Sequence, residues 1–223
     1  MPRLQGLIFD CDGTLLDSAP VIAQALNKML QQQGRRLLSL EEVKPMIGEG
    51  AMALVERGFL ATGGPPGSDL FPFVQQYISA YRNITSDPAQ IFPHVLDVLE
   101  RYSKAGVKLG ICTNKQELLT HRVLEELNLQ GFFGFVAGGD TFPVHKPHPD
   151  HVYGVIKALD VPREGCVFVG DGPADVRAAH GAQIPCIVVT HGYTNDAEDL
   201  DADRLINGFD ELPAALQEMG FTL

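Results

Sequence analysis

Five short, largely apolar runs punctuate the chain, at residues 4–9, 107–112, 133–137, 166–169 and 186–189. Each is rich in β-branched or aromatic side chains, and most stop at a polar or glycine-bearing turn. A strand with one wet face alternates; a strand that is apolar throughout is covered on both faces. Between the runs the apolar spacing changes to three and four. Val95, Val98, Leu99 and Tyr102 define a helix over 95–105, and Leu119, Val123, Leu124 and Leu127 another over 118–127. Residues 151–159 and 174–181 supply two later helical crossovers. This alternation predicts an α/β fold with a doubly wound, Rossmann-like parallel sheet core.

One segment departs from the alternation. After the first run, helical spacing covers residues 20–33, 40–46, 51–60 and 70–81 with no strand among them. Gly63-Gly64-Pro65-Pro66-Gly67 marks a turn between the last two. The expected organisation is an α/β core of residues 1–17 and 86–223 and a small inserted α-helical cap domain of residues 18–85. Residues 15–17 and 85–93 are its linkers.

In doubly wound sheets, ligands bind at the carboxyl ends of the strands. The first predicted strand ends in Asp10-Cys11-Asp12-Gly13-Thr14 and the second in Thr113-Asn114. The fourth ends in Gly170-Asp171-Gly172, with Asp175 one turn later and Lys146 in a preceding loop. A carboxylate can attack phosphorus and divide one hard displacement into two easier ones. A second carboxyl two residues on can protonate the leaving oxygen and then activate water. Asp10 and Asp12 fit these roles. Acids packed this closely repel one another, and a hard divalent ion such as Mg²⁺ would neutralise them and bridge to phosphate. Thr113, Asn114, Lys146 and backbone amides near Gly13 would hold the phosphoryl oxygens.

Composition narrows the partners. The 223 residues carry a formal net charge of -11. Such a surface repels nucleic acid and anionic membranes, which leaves a small-molecule phosphate ester as the expected partner. Four widely separated cysteines, Cys11, Cys112, Cys166 and Cys186, contain no CxxC pair and read as reduced core residues of a cytoplasmic protein. The opening residues have the pattern of neither a signal peptide nor an anchor. A monomer or homodimer is expected.

Four stretches resemble the motifs of the haloacid dehalogenase superfamily, in its order. They are Phe9-Asp10-Cys11-Asp12-Gly13-Thr14-Leu15-Leu16-Asp17-Ser18, Cys112-Thr113-Asn114-Lys115, Lys146-Pro147-His148-Pro149-Asp150 and Val169-Gly170-Asp171-Gly172-Pro173-Ala174-Asp175. The resemblance implies Asp10 as nucleophile and Asp12 as general acid/base. It implies Mg²⁺ held by the Asp10 carboxylate, the Asp12 backbone carbonyl and Asp171, with Asp175 supporting through the metal's waters. Thr113 and Lys146 would bind phosphate.

Among cap-bearing members the chain is most similar to phosphoglycolate phosphatases, through Ile47-Gly48-Glu49-Gly50-Ala51, Leu54-Val55-Glu56-Arg57 and Thr190-His191-Gly192-Tyr193. Gly172, His94 and Gln116 depart from residues frequent in the family; glycine is common where His94 stands. The implied reaction is hydrolysis of a small phosphomonoester, 2-phosphoglycolate foremost. Amides of Gly48 and Gly50 would meet the leaving group, and Lys44 or Arg57 would add charge. A sugar-phosphate phosphatase or a β-phosphoglucomutase-like phosphomutase shares the motifs, although the insertion shows no clear histidine–lysine pair for mutase chemistry. A non-catalytic, receiver-like phosphoacceptor domain also clusters acids with a lysine, but has no use for Asp12 or the insertion.

Overall fold

The five apolar runs become strands of one parallel sheet in the computed structural model, which describes residues 2–223. The strands are β1 (Gly6–Phe9), β2 (Lys108–Cys112), β3 (Phe135–Ala137), β4 (Cys166–Gly170), β5 (Cys186–Val189) and β6 (Arg204–Ile206). Their order is β3-β2-β1-β4-β5-β6, all neighbours parallel. The chain reverses its direction of growth between β3 and β4, so the switch point lies beside the central β1. β6 escapes the apolar-run criterion because it is a three-residue edge strand with two exposed side chains.

The helices are α1 (Ala19–Gln32), α2 (Leu40–Val43), α3 (Gly50–Ala61), α4 (Phe71–Arg82), α5 (Val95–Lys104), α6 (Glu117–Glu126), α7 (Pro149–Leu159), α8 (Pro173–Gly181) and α9 (Leu212–Glu218). The alternate side chains of each strand enter two cores. Leu7 and Phe9 of β1 join Leu109, Ile111, Val167 and Val169 in one; Ile8, Cys112, Phe168 and Val188 join residues of α7 and α8 in the other. Burial on both faces is what unbroken apolar strands require.

The first four helices after β1, α1 to α4, pack as one group. α1 presents Ile22, Ala23, Leu26, Met29 and Leu30 on one stripe, mainly against α4. Pro20 sits in its first turn, where a missing N–H costs nothing. Ser39 and Glu42 form a reciprocal capping box on α2. Phe59 of α3 is fully buried and meets Phe73 edge-on at 5.0 Å. The two connections to the sheet run side by side: Asp17 N–H donates to Gln90 O at 2.7 Å and Phe92 N–H to Leu15 O at 3.0 Å. His94 follows in the left-handed region, φ 63°, a conformation that glycine adopts most freely and that explains the departure from glycine as a tolerated cost.

All four cysteines are buried and unpaired. No helix among the described residues is long and apolar enough to cross a membrane.

Candidate active site

The polar residues at the strand ends converge beside β1. Asp10 prolongs that strand, its N–H donating to Val169 O at 3.0 Å, and the chain then turns sharply, Cys11 O accepting from Leu15 and Leu16. Asp171 leaves β4 next door. Its Oδ1 accepts from the Thr14 hydroxyl at 3.1 Å and its Oδ2 from Tyr193 N–H at 2.9 Å. Asp175, in the first turn of α8, accepts with Oδ2 from the N–H groups of Asp171 and Gly172, both at 3.0 Å. Oxygens of Asp10, Asp171 and Asp175 lie within 4.8 Å of one another.

Lys146 balances part of this charge. Its side chain is 1% exposed, with Nζ 2.6 Å from Asp175 Oδ1 and 3.0 Å from Asp10 Oδ1. The second contact is an ion pair without hydrogen-bond alignment, so Asp10 Oδ1 is buried with no donor. Burial pushes the Asp10 carboxyl up to about 6, against the pull of Lys146, with Asp175 adding to the rise and a Thr113 hydrogen bond opposing it. Burial, then Asp175 and Asp10, hold Asp171 well above the carboxylate range. Three buried acids around one ammonium leave the cluster short of positive charge.

That shortage, an orphaned buried carboxylate oxygen and an all-oxygen donor set fit a hard divalent cation such as Mg²⁺. Asp10 offers an oxygen without a donor, and each Asp171 oxygen accepts a single hydrogen bond from a neutral donor. Both oxygens of Asp175 are taken by Lys146 and by two amides, which assigns it first to holding Lys146 and the Gly170–Gly172 turn.

Asn114 departs from the role expected of it. Its Nδ2 donates to Gly48 O and to Lys146 O, each at 2.9 Å, so the side chain has no free N–H for a phosphate. It instead ties the helical insertion to the Lys146 loop. Thr113 is 2% exposed beside Asp10 and keeps its hydroxyl in the site.

His151 is fully buried. Its Nδ1 accepts from Lys146 N–H at 3.2 Å and its Nε2 meets Gly138 O at 3.1 Å, holding the lysine loop against β3's end. His148 is instead the exposed cap of α7, accepting from Asp150 N–H. Cys11 and Cys112 flank the site as thiols that burial pushes far up, unsuited to nucleophilic attack.

Asp12 faces the helical insertion. Its two oxygens sit 3.0 and 3.1 Å from Lys115 Nζ, which also donates to the Tyr81 hydroxyl at 2.7 Å. Burial opposes the charge on Lys115, but Asp12 and Tyr81 outweigh it and keep the ammonium well above its ordinary range. The sequence offered Lys115 only as the residue after Thr113-Asn114; nothing in its spacing pointed to Tyr81. Tyr193 likewise emerges only in three dimensions, its hydroxyl donating to Asp17 and accepting from Ala19 N–H at the start of α1.

Two connected compartments share Asp10, Asp12, Ile47 and Gly48. The inner one has a volume of about 40 Å³ and is walled by Ile22, Ile47, Ala51, Leu54, Tyr77 and Leu119, with Lys115 and Gln116. The outer one, about 270 Å³, opens past Glu49, Arg57, Asp171, Arg177 and Tyr193. Gly48 and Gly50, at φ 114° and 86°, carry the insertion's loop over both. Arg57 is committed there: it donates to Met46 O at 3.0 Å and pairs with Glu49 at 2.5 Å.

Comparison with known proteins agrees with this geometry. A family model described as haloacid dehalogenase-like hydrolase matches residues 7–189. Phosphoglycolate phosphatase of Caulobacter vibrioides is 38% identical over 211 residues, 94% of this chain and 89% of that protein. Its counterpart from Agrobacterium fabrum is 34% identical over 213 residues, 95% of this chain and 91% of that protein. A crystal structure described as a predicted phosphoglycolate phosphatase from Haemophilus somnus 129pt superposes with a TM-score of 0.89 at 26% identity, covering 96% of this chain and 98% of the other.

Proposed function

The chain belongs to the haloacid dehalogenase-like hydrolase family and is a phosphatase; we propose that it hydrolyses a small phosphomonoester, 2-phosphoglycolate foremost, with Mg²⁺ and an aspartyl-phosphate intermediate. The observation that carries this reading is the buried meeting of Asp10, Asp171, Asp175 and Lys146 at one end of β1, with Asp12 turned toward a small compartment.

Asp10 is the nucleophile. Its unpartnered oxygen lies at the junction of the two compartments, where a phosphorus can be approached in line. Asp10 and Asp171 would hold the cation with the Asp12 backbone carbonyl, and Asp175 would support them. A bound Mg²⁺ supplies charge neutralisation and a grip on the phosphoryl oxygens. Lys146 and Thr113 stabilise those oxygens as charge redistributes, and Asn114 contributes through its backbone and by positioning Lys146. Asp12, taking up a proton from solvent as the substrate binds, gives it to the leaving oxygen and then takes one from the attacking water.

The helical insertion of residues 18–85 acts as the cap. A free volume of about 40 Å³ holds roughly three waters, by the criterion that each needs at least about 10–15 Å³. A two-carbon leaving group fits that scale, whereas a hexose ring is several times larger. The names of the relatives point the same way.

A panel of phosphometabolites tests the assignment, with 2-phosphoglycolate expected to give the highest kcat/KM. Asp10→Asn should remove nearly all turnover with the fold intact, and Asp12→Asn should lower it about 10²–10⁴-fold, the worth of a positioned acid/base. Near wild-type turnover in Asp10→Asn overturns the mechanism; preference for a hexose phosphate overturns the substrate.

A further inference from the structure

We infer that Lys115 is the specificity-determining residue of this site, reading a carboxylate on the leaving group inside the small compartment beneath α3 and α4. The inference rests on the phosphatase reading above and deepens it, by naming the chemical class of leaving group and the side chain that selects it.

Four cations stand near the site, and three lie outside the inner compartment: Arg177 is on the outer side, its Nε donating to Pro173 O. Lys146 lies on the phosphoryl side, fixed between Asp10 and Asp175. Arg57 is bound to Glu49 and Met46 O, where it braces the insertion's loop. Lys115 alone, among the described residues lining the inner compartment, brings positive charge into it. Its side chain is 5% exposed, so the ammonium has left water almost completely.

Much of the compartment's wall offers a carboxylate nothing: Ile22, Ile47, Leu54 and Leu119 are apolar, and the neutral groups of Tyr77, Thr113, Asn114 and Gln116 bring no charge. Asp12 receives Lys115 with both oxygens from the same nitrogen, at 3.0 and 3.1 Å. One of those contacts can pass to a ligand oxygen while the other keeps the lysine at Asp12. Tyr81, with its hydroxyl 2.7 Å away and its ring centroid 4.2 Å from Nζ, holds the ammonium in place from the insertion side. The lysine therefore stands next to the acid that protonates the leaving oxygen, one or two bonds from where a leaving group's substituent must lie. At an ammonium this buried, a charge-assisted hydrogen bond is worth more than in water. A neutral substituent would leave the ammonium without that gain.

The test compares 2-phosphoglycolate with its amide, which has nearly the same shape and no charge on the leaving group. Wild-type enzyme should prefer the acid by about 10- to 100-fold in kcat/KM, the range of one hydrogen bond to a charged group. Lys115→Met should reduce that ratio to near one, chiefly by raising KM for the acid. Any general damage from leaving Asp12 unpaired affects both substrates and cancels in the ratio. Lys115→Gln, which keeps a donor without charge, should give the same collapse, and the wild-type ratio decides alone if neither variant folds. A wild-type ratio near one, or a variant that retains the preference, overturns the inference. Failure of wild-type enzyme to turn over the acid, the amide and a simple aryl phosphate alike would instead refute the phosphatase reading on which it rests.

Discussion

Lowering the pH from about 7.5 to about 5 should destabilise the wild-type protein by about 2 kcal/mol more than a His151→Gln variant. The cause is local. His151 Nδ1 accepts the Lys146 N–H, so the ring is neutral with its proton on Nε2, directed at Gly138 O. Protonating Nδ1 would set one N–H against another at a position closed to solvent. Burial, and then the nearby Lys146 ammonium, push the imidazole down from 6.5 to about 4, with the Gly138 hydrogen bond opposing. A base with a depressed folded pKa binds its proton more readily when unfolded. Its contribution to stability is therefore complete above about pH 6.5 and is lost as the pH falls toward 4. At pH 5 the unfolded histidine is almost fully protonated and the folded one barely so. The difference amounts to about 2 kcal/mol there and about 3 kcal/mol at the acid limit, at 1.36 kcal/mol per pKa unit. Urea unfolding of both proteins at the two pH values, with chelator present, measures it. Carboxylate effects are common to both and drop out of the comparison. Equal losses in the two proteins would refute the assignment of His151 as a buried neutral ring.

Exhaustive chelation should abolish turnover, Mg²⁺ should restore it, and Ca²⁺ should inhibit through its looser coordination. Independently of activity, Mg²⁺ at about 100 times its dissociation constant should add about 2.7 kcal/mol and raise the melting temperature by about 5–10 °C; an unchanged melting curve would count against a cation at Asp10 and Asp171. Gly192→Ala should weaken Mg²⁺ about 10- to 100-fold, as loss of a ligand's support commonly does, because a Cβ there would lie 2.2 Å from Asp171 Cβ and 2.5 Å from its Oδ2. Titration of the melting temperature with Mg²⁺ checks this, and an unaltered midpoint would show that Asp171 is not a ligand.

Much of this protein was determined by local pattern. Continuous apolar runs sufficed for β1, β2, β3, β4 and β5, because strands covered on both faces leave no polar positions to obscure them. β6 and α9 stayed hidden: an edge strand of three residues and a seven-residue helix carry too little periodicity to stand out. Asp10, Asp12, Asp171, Asp175 and Lys146 were legible because a parallel sheet brings its strand ends to one edge whatever the intervening sequence. Partnership was not legible, since it depends on angles and distances of a few tenths of an ångström. Only the tertiary structure shows that the Asn114 side chain ties Gly48 to Lys146 and that His151 is a buried support. Lys115 shows the limit most clearly. Its sequence neighbours belong to β2's end, but its chemistry is set by Asp12 from β1 and Tyr81 from α4, distant segments that meet only when the insertion folds back over the sheet.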